Sequence, residues 1–302
     1  MPVKIEVDPL VRGPSFAASQ RLAIEIARCA KIIDREREVE RGQAHRDDSP
    51  ILAPRNPFSL DSETMNIYGR TEWTGLVPPG GAAMKLIIGN KNYSSWSLRG
   101  WLAAKQSGLS FEEITVPILG EHWQEEKQSD DFQPSSGKVP ILWDGDNVIW
   151  DSLAIMEYLS DKVGRDRFWP KDEAARGMAR SMVAEMHSSY ASLRSEMPMN
   201  VRRRIKLENV SDQTKSEVVR ILQLWAEVRA RHGSAGPFLF GTFGAADVFY
   251  APIVSRFVTY GIGVPGFAQS YMEAIWEHDW MQTWVSASED EQWVIEQYET
   301  VG

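Results

Sequence analysis

Three short stretches of this 302-residue chain hold residue types that could act on a ligand together. The first is Asn92-Tyr93-Ser94-Ser95-Trp96-Ser97, a serine-rich loop between an apolar run and a helical pattern. Free backbone N–H groups and the positive end of a helix dipole point there. A hydroxyl so placed can donate to a bound thiolate and draw a thiol pKa down from about 8.5. The second is Lys138-Val139-Pro140. Proline is rare inside a central strand, because it has no N–H to give the ladder. At a strand's opening residue, a cis X-Pro bond would turn the Val139 backbone towards a peptide-like ligand, and a trans bond would mark only a strand start. The third is Asp151-Ser152, which opens a helix after a short strand. Hydroxyl and N–H groups there suit a carboxylate, and the adjacent aspartate suits an ammonium. Each stretch also has a plainer reading as a cap or a strand start.

Taken together, the three describe one ligand with an amino-acid end (Asp151, Ser152), a peptide middle (Val139) and a thiol (the Ser94 loop). Glutathione has that form. Four residues further along, Met182, Met186, His187 and Tyr190, are candidates for an apolar pocket holding a second substrate; bundle core is the alternative for each.

The elements that must position these loops follow from periodicity. Lys85–Asn90 reads as a buried strand, and Leu98, Trp101, Leu102 and Lys105 fall at helical spacing up to Gly108. Phe111–Ile118 alternates as a strand does. Gly120–Gln133 is loop or irregular helix. Val139–Trp143 and Val148–Trp150 form a hairpin through Asp144-Gly145-Asp146-Asn147, and Leu153–Gly164 is a helix. The order β-α-β-(α)-β-β-α is a thioredoxin-like α/β arrangement with a four-stranded mixed sheet. Trp169-Pro170 makes a linker. Beyond it, helices are expected at 172–197, 211–232, 245–260, 265–278 and 280–292, a five-helix all-α bundle. The chain thus divides into an extension (1–83), a thioredoxin-like domain (84–165) and a helical domain (171–302).

The extension differs in character. Leu22, Ile26, Cys29 and Ile33 make a helical stripe, a charge-dense run covers 34–48, and prolines punctuate the remainder. It reads as one helix plus mostly irregular chain without chemistry of its own. A sharper alternative takes Met84 as the native start, which a native peptide from residues 1–83 would overturn.

Bulk composition sets limits. The formal net charge is −9, and a nucleic-acid or anionic-membrane partner would favour a basic face. No apolar run reaches the roughly 18 residues of a membrane span, and the first residues lack a secretory apolar core. A single cysteine, Cys29, rules out an intrachain disulfide and multi-cysteine zinc sites. The five histidines show no metal-ligand spacing, and no metal is expected. These features suit a cytoplasmic protein.

From about Met84 to Gln292 the chain resembles the cytosolic glutathione transferase superfamily. The resemblance rests on SSWSLRGWLAAK, KVPIL, WDSLAIMEYL and GAADVFYAP. It implies a glutathione thiol activated by a loop hydroxyl, Ser94 by spacing, with Ser95, Asn92 and Tyr93 as rivals. It implies Val139 before a cis-proline pairing with the glutathione backbone, Asp151-Ser152 holding the γ-glutamyl group, and Lys138 reaching the glycyl carboxylate. Asp247 matches a buried helix-capping aspartate whose usual Ser or Thr partner is here Gly244. Cysteine-using classes are set aside, since Cys29 lies outside the matched stretch. The loop is similar to the zeta class, but Trp96 stands where that class has cysteine. The implied activity is S-transfer to a small hydrophobic electrophile by a homodimer. A glutathione-dependent isomerase or peroxidase, or a non-catalytic glutathione-binding scaffold, is the alternative.

Overall fold

The computed structural model describes residues 84–120, 122–207 and 209–301. The extension and its helical stripe lie outside the described residues. Strand β1 (Met84–Gly89) is the centre of the first half. It pairs in parallel with β2 (Phe111–Val116) and antiparallel with β3 (Ile141–Asp144), which turns into β4 (Asn147–Trp150). The strand order is β2-β1-β3-β4. Side chains along β1 alternate between two buried faces, which explains its apolar run. Leu86 and Ile88 face helices α1 (Ser95–Ser107) and α3 (Ser152–Val163), while Ile87 faces Trp123, Phe132 and Ile141 on the other side. A strand buried on both faces has no polar phase to display.

The turn at Gly145 has a left-handed backbone (φ 59°), and Asp144 pairs with Asn147 across it. Helix α1 stops at Gly108, also left-handed (φ 70°). The irregular stretch holds one short helix, α2 (Trp123–Glu126). Strand β3 opens at Ile141, two residues after the expected Val139, because Pro140 has no N–H for the ladder.

The second half is helical: α4 (Glu173–Ser188), α5 (Ala191–Glu196), α6 (Asp212–His232), α7 (Ala245–Thr259), α8 (Gly266–Trp276), α9 (Asp279–Glu289) and the short α10 (Glu296–Glu299). The expected helix over 172–197 is therefore two. Tyr190 takes a left-handed conformation (φ 65°) between them, with no glycine or proline to announce the break. The expected count of five becomes seven among the described residues. One buried cluster joins Leu86, Leu98 and Ile155 of the first half to Met186, Trp225, Phe249 and Trp284 of the second.

Helix α7 is the bundle's central rod, and its start shows how the capping motif works here. Asp247 accepts from the Gly244 N–H at 2.9 Å and from the Leu239 N–H at 3.1 Å. Gly244 cannot contribute a cap side chain. A Cβ there would lie 2.8 Å from the Phe168 carbonyl oxygen, the same oxygen that accepts from Ala245 N at 2.8 Å. Close approach between the two halves excludes the usual Ser or Thr. Burial pushes the Asp247 carboxyl up to about 7, against the pull of its N–H donors.

Candidate functional site

The serine loop is built by hydrogen bonds local to the end of β1. The Asn90 carbonyl accepts from Ser94 N at 2.9 Å, closing a turn that delivers Ser94 to the N-cap of α1. Ser94 Oγ accepts from Ser97 N at 3.2 Å and donates to Ser97 Oγ at 2.8 Å. Ser97 Oγ also accepts from Gly89 N at 2.9 Å. With two donors already directed at it, Ser97 retains a hydroxyl proton of its own. Ser94 can therefore turn its proton to a ligand while Ser97 donates back to Ser94 Oγ. Ser95, beside it, accepts from Arg256 at 3.3 Å.

Asn92 and Tyr93 face elsewhere. The Tyr93 hydroxyl donates to Glu299 at 2.6 Å, and burial together with that carboxylate raises its pKa. Asn92 accepts from Arg202 N through its side chain and from Val201 N through its carbonyl, and its own N–H donates to Glu291. Both residues tie the loop to the C-terminal segment.

Helix α3 supplies a second N-terminus. Asp151 is its N-cap, accepting from Leu153 N at 2.8 Å. Its backbone lies at φ 72°, ψ 132°, outside the regions open to residues other than glycine at low cost. Such conformations cost on the order of 1–3 kcal/mol and cluster at ligand sites. Next to it, the fully buried Ser152 Oγ has no hydrogen-bond partner. The free Asp151 oxygen lies 3.4 Å from His187 Nε2 on α4.

The Val139–Pro140 bond is cis. The segment packs against both neighbours of the serine loop: a Cβ on Gly89 would lie 3.3 Å from Val139 Cγ2, and one on Gly100 of α1 would lie 2.7 Å from Pro140 Cγ. Glycine at 100 lets α1 sit directly on that proline. Lys138 is exposed, with its N–H bonded to Ser135 Oγ at 3.0 Å.

The helical half faces these loops with cations. His187 meets Trp96 edge-on, with ring centroids 5.1 Å apart. Burial, and then Arg99 and Arg194, lower the His187 pKa against the opposing pull of Asp151. Arg256 on α7 donates to Met197 O at 2.8 Å and Pro252 O at 3.2 Å, besides Ser95, and burial pushes it down to about 9. Arg194 on α5 bonds Met186 O and Ser189 O. Arg99 on α1 is 0% exposed.

Of the four expected pocket residues, His187 is brought to the site. Met182 and Met186 lie wholly within the core, and Tyr190 is buried with its hydroxyl on Glu185 at 2.8 Å. Sequence reasoning passed over Ser97, Arg99, Arg194 and Arg256. Ser97 was visible, one turn from Ser94. The arginines had no local signal. Two clefts, one lined by Phe168, Trp169 and Phe243 and one by Lys91, Thr115 and Glu291, include none of the site residues. Among the described residues no cluster of His, Cys, Asp or Glu is placed to hold a metal, and no helix is long and apolar enough to cross a membrane.

A thioredoxin-like sheet joined to a helical bundle, with capped helix N-termini and a cis-proline converging where they meet, defines the glutathione transferase class of architecture. Residues 93–162 match the family model for the glutathione S-transferase N-terminal domain, and residues 208–286 match the model for the C-terminal domain. The chain belongs to the cytosolic glutathione transferase superfamily. It is 28% identical over 188 residues to glutathione S-transferase 1 of Dianthus caryophyllus, covering 61% of this chain and 82% of that one. It is 25% identical over 162 residues to the chloroplastic glutathione S-transferase L2 of Arabidopsis thaliana, covering 53% of this chain and about half (49%) of that relative's length. A Burkholderia glutathione transferase homolog crystallised with glutathione superposes with a TM-score of 0.53 at 21% identity, over 70% of this chain and all of the other. That likeness speaks to the fold.

Proposed function

We propose that the protein is a glutathione S-transferase of the serine type, moving the sulfur of glutathione onto a small electrophile. The observation that supports it most is the Ser94–Ser97 hydroxyl pair at the N-terminus of α1. Ser94 donates its proton to the sulfur, and Ser97 compensates by donating to Ser94. The helix N-terminus and the nearby Arg256 add positive potential, which favours thiolate over thiol. Val139 offers its N–H and C=O to the peptide. Ser152 Oγ and the free N–H groups of α3 take the γ-glutamyl carboxylate, while Asp151 takes the ammonium. Lys138 reaches the glycyl carboxylate. Rate enhancement then comes from thiolate formation and from proximity. The neighbour crystallised with glutathione agrees with this choice of thiol.

The reading expects a cytoplasmic homodimer, which light scattering and fractionation check. The direct test is an ultraviolet titration of the bound thiol alongside turnover of chlorodinitrobenzene. The expected result is a bound-thiol pKa well below the free value, with conjugate formed. Binding with an unshifted thiol and no turnover would leave only a glutathione-binding module.

A further inference from the structure

Arg99 is the least explained residue in the molecule. Its side chain is fully buried, and Nε, Nη1 and Nη2 all lack a hydrogen-bond partner. A buried guanidinium is tolerated when carboxylates or carbonyls take its fork of donors, and left alone it is strongly destabilising. Arg256 and Arg194 show the ordinary solution, each spending its donors on carbonyl oxygens. Arg99 has only aromatic faces: the Trp96 ring at 3.9 Å and the Phe249 ring at 5.0 Å from Cζ. Its charged surroundings compound the problem. Arg194 and Arg256 repel it, and Asp151 alone attracts it. One oxygen of that aspartate accepts from Leu153 N, and the other lies 3.4 Å from His187 Nε2. The one other carboxylate that bears on the cluster, Glu217, acts on Arg194 and accepts from Leu193 N. Three guanidinium groups thus bear on one another, and Asp151 is the carboxylate that attracts Arg99.

Trp96 occupies the middle of the cluster. Arg99 lies over its ring at 3.9 Å and Arg194 at 5.5 Å, His187 meets it edge-on, and it is itself part-exposed. It lies in the first turn of α1, two residues after the N-cap Ser94. A part-exposed aromatic thus covers a buried, unpaired cation one helical turn into α1.

We propose that the electrophile is an anion, bearing a carboxylate that pairs with Arg99 once the Trp96 side chain turns aside. This deepens the proposed transferase reading and rests on it. The planar fork of Arg99 matches two carboxylate oxygens, and the ligand's charge supplies what the cluster lacks. Glutathione's own γ-glutamyl carboxylate is a second source of the same chemistry. It has a separate seat at Ser152, whereas Arg99 faces Phe249 and Arg194 of the helical half, where the second substrate lies.

The test compares S-hexylglutathione and longer S-alkylglutathiones with their counterparts ending in a carboxylate, by calorimetric titration of the full chain. The carboxylate ligands should bind about ten- to a hundredfold tighter, the range for one charge-assisted contact. Arg99→Met should abolish that preference while leaving S-hexylglutathione affinity within about threefold, and Arg99→Lys should restore part of it. Removal of an unpaired buried charge predicts a variant at least as heat-stable as the parent. Equal binding of both series to the parent protein overturns the proposal and leaves the transferase reading intact. So does a preference that survives Arg99→Met. If Arg99→Met weakens both series equally, the guanidinium serves glutathione itself, and the proposal is again overturned. Failure of every S-alkylglutathione to bind the parent protein would remove the transferase reading and this one with it.

Discussion

The two walls of the site are made of different material. On the thioredoxin-like side, hydroxyls, backbone groups and one carboxylate stand at helix N-termini, satisfied by bonds within a few residues: Ser94 to Ser97, Asp151 to Leu153. On the helical side, Arg194, Arg256 and His187 are held by contacts that span helices or bridge the halves, such as Arg256 to Ser95 and His187 to Asp151. The first wall is local, carries one carboxylate, and on the proposed reading takes the peptide with its thiol. The second is long-range and positive. Local walls depend on caps and turns, whereas the positive wall depends on the bundle keeping its packing. Variants in the two should therefore fail differently.

The largest effect is expected where the bundle is anchored. Asp247→Ala leaves the buried Leu239 and Gly244 N–H groups without an acceptor. A loss of about 3 kcal/mol follows from two orphaned buried donors. Urea unfolding of the full chain measures it, and a loss under about 1 kcal/mol would mean that water replaces the carboxylate. Thiolate chemistry should survive in whatever fraction stays folded. Ser94→Ala should do the reverse. The bound-thiol pKa rises by about 1–2 units and turnover near neutral pH falls about ten- to a hundredfold, the cost of one hydrogen bond to an anion. Stability drops only by the cap, about 1 kcal/mol, and glutathione affinity changes little. Full activity in that variant would move the role to Ser95.

How much of each wall was legible beforehand follows from the same contrast. That Ser94 and Asp151 stand at helix starts was readable because a cap is a local event: a polar residue, a helix start, a strand just before. The strands were readable for the same reason, with β3 shortened because Pro140 cannot enter the ladder. Arg99 was not. On a helix it takes a position between Leu98 and Trp101, and nothing within several residues distinguishes an arginine sealed under a tryptophan from one reaching solvent. Its cover comes from Trp96, three residues back, together with Phe249, about 150 positions away. Tyr190 hid the break between α4 and α5 for a related reason. Its left-handed backbone is held by packing and by Glu185, with no glycine to mark it.

A smaller effect probes where the walls touch. Asp151→Ala should weaken glutathione binding about tenfold, with turnover at saturation largely kept, since an ammonium contact acts on ground state and transition state alike. Unchanged affinity would break the assignment of this wall to glutathione.

The smallest effect concerns the positive wall alone. Burial and its arginine neighbours depress the His187 pKa, so the native state prefers the neutral ring. For a group depressed on folding, the stabilisation is present above the unfolded value of about 6.5 and is lost as pH falls through the folded value. This contribution to stability should therefore decline gently on acidification below about pH 6.5. Burial lowers His278 in the same sense, so it contributes to the same limb. Asp247 acts in the opposite sense over an overlapping range: its carboxyl, raised to about 7, adds stability as pH falls below that value towards the unfolded value of about 3.9. The His187 contribution is therefore read as the difference between the parent and His187→Gln. His187→Gln should remove part of the acid limb and leave the neutral limb of Asp247 untouched, as read from thermal midpoints between pH 5 and pH 8. An acid limb unaltered by His187→Gln would assign it to His278, and the cationic surroundings of His187 would then have no effect on folding.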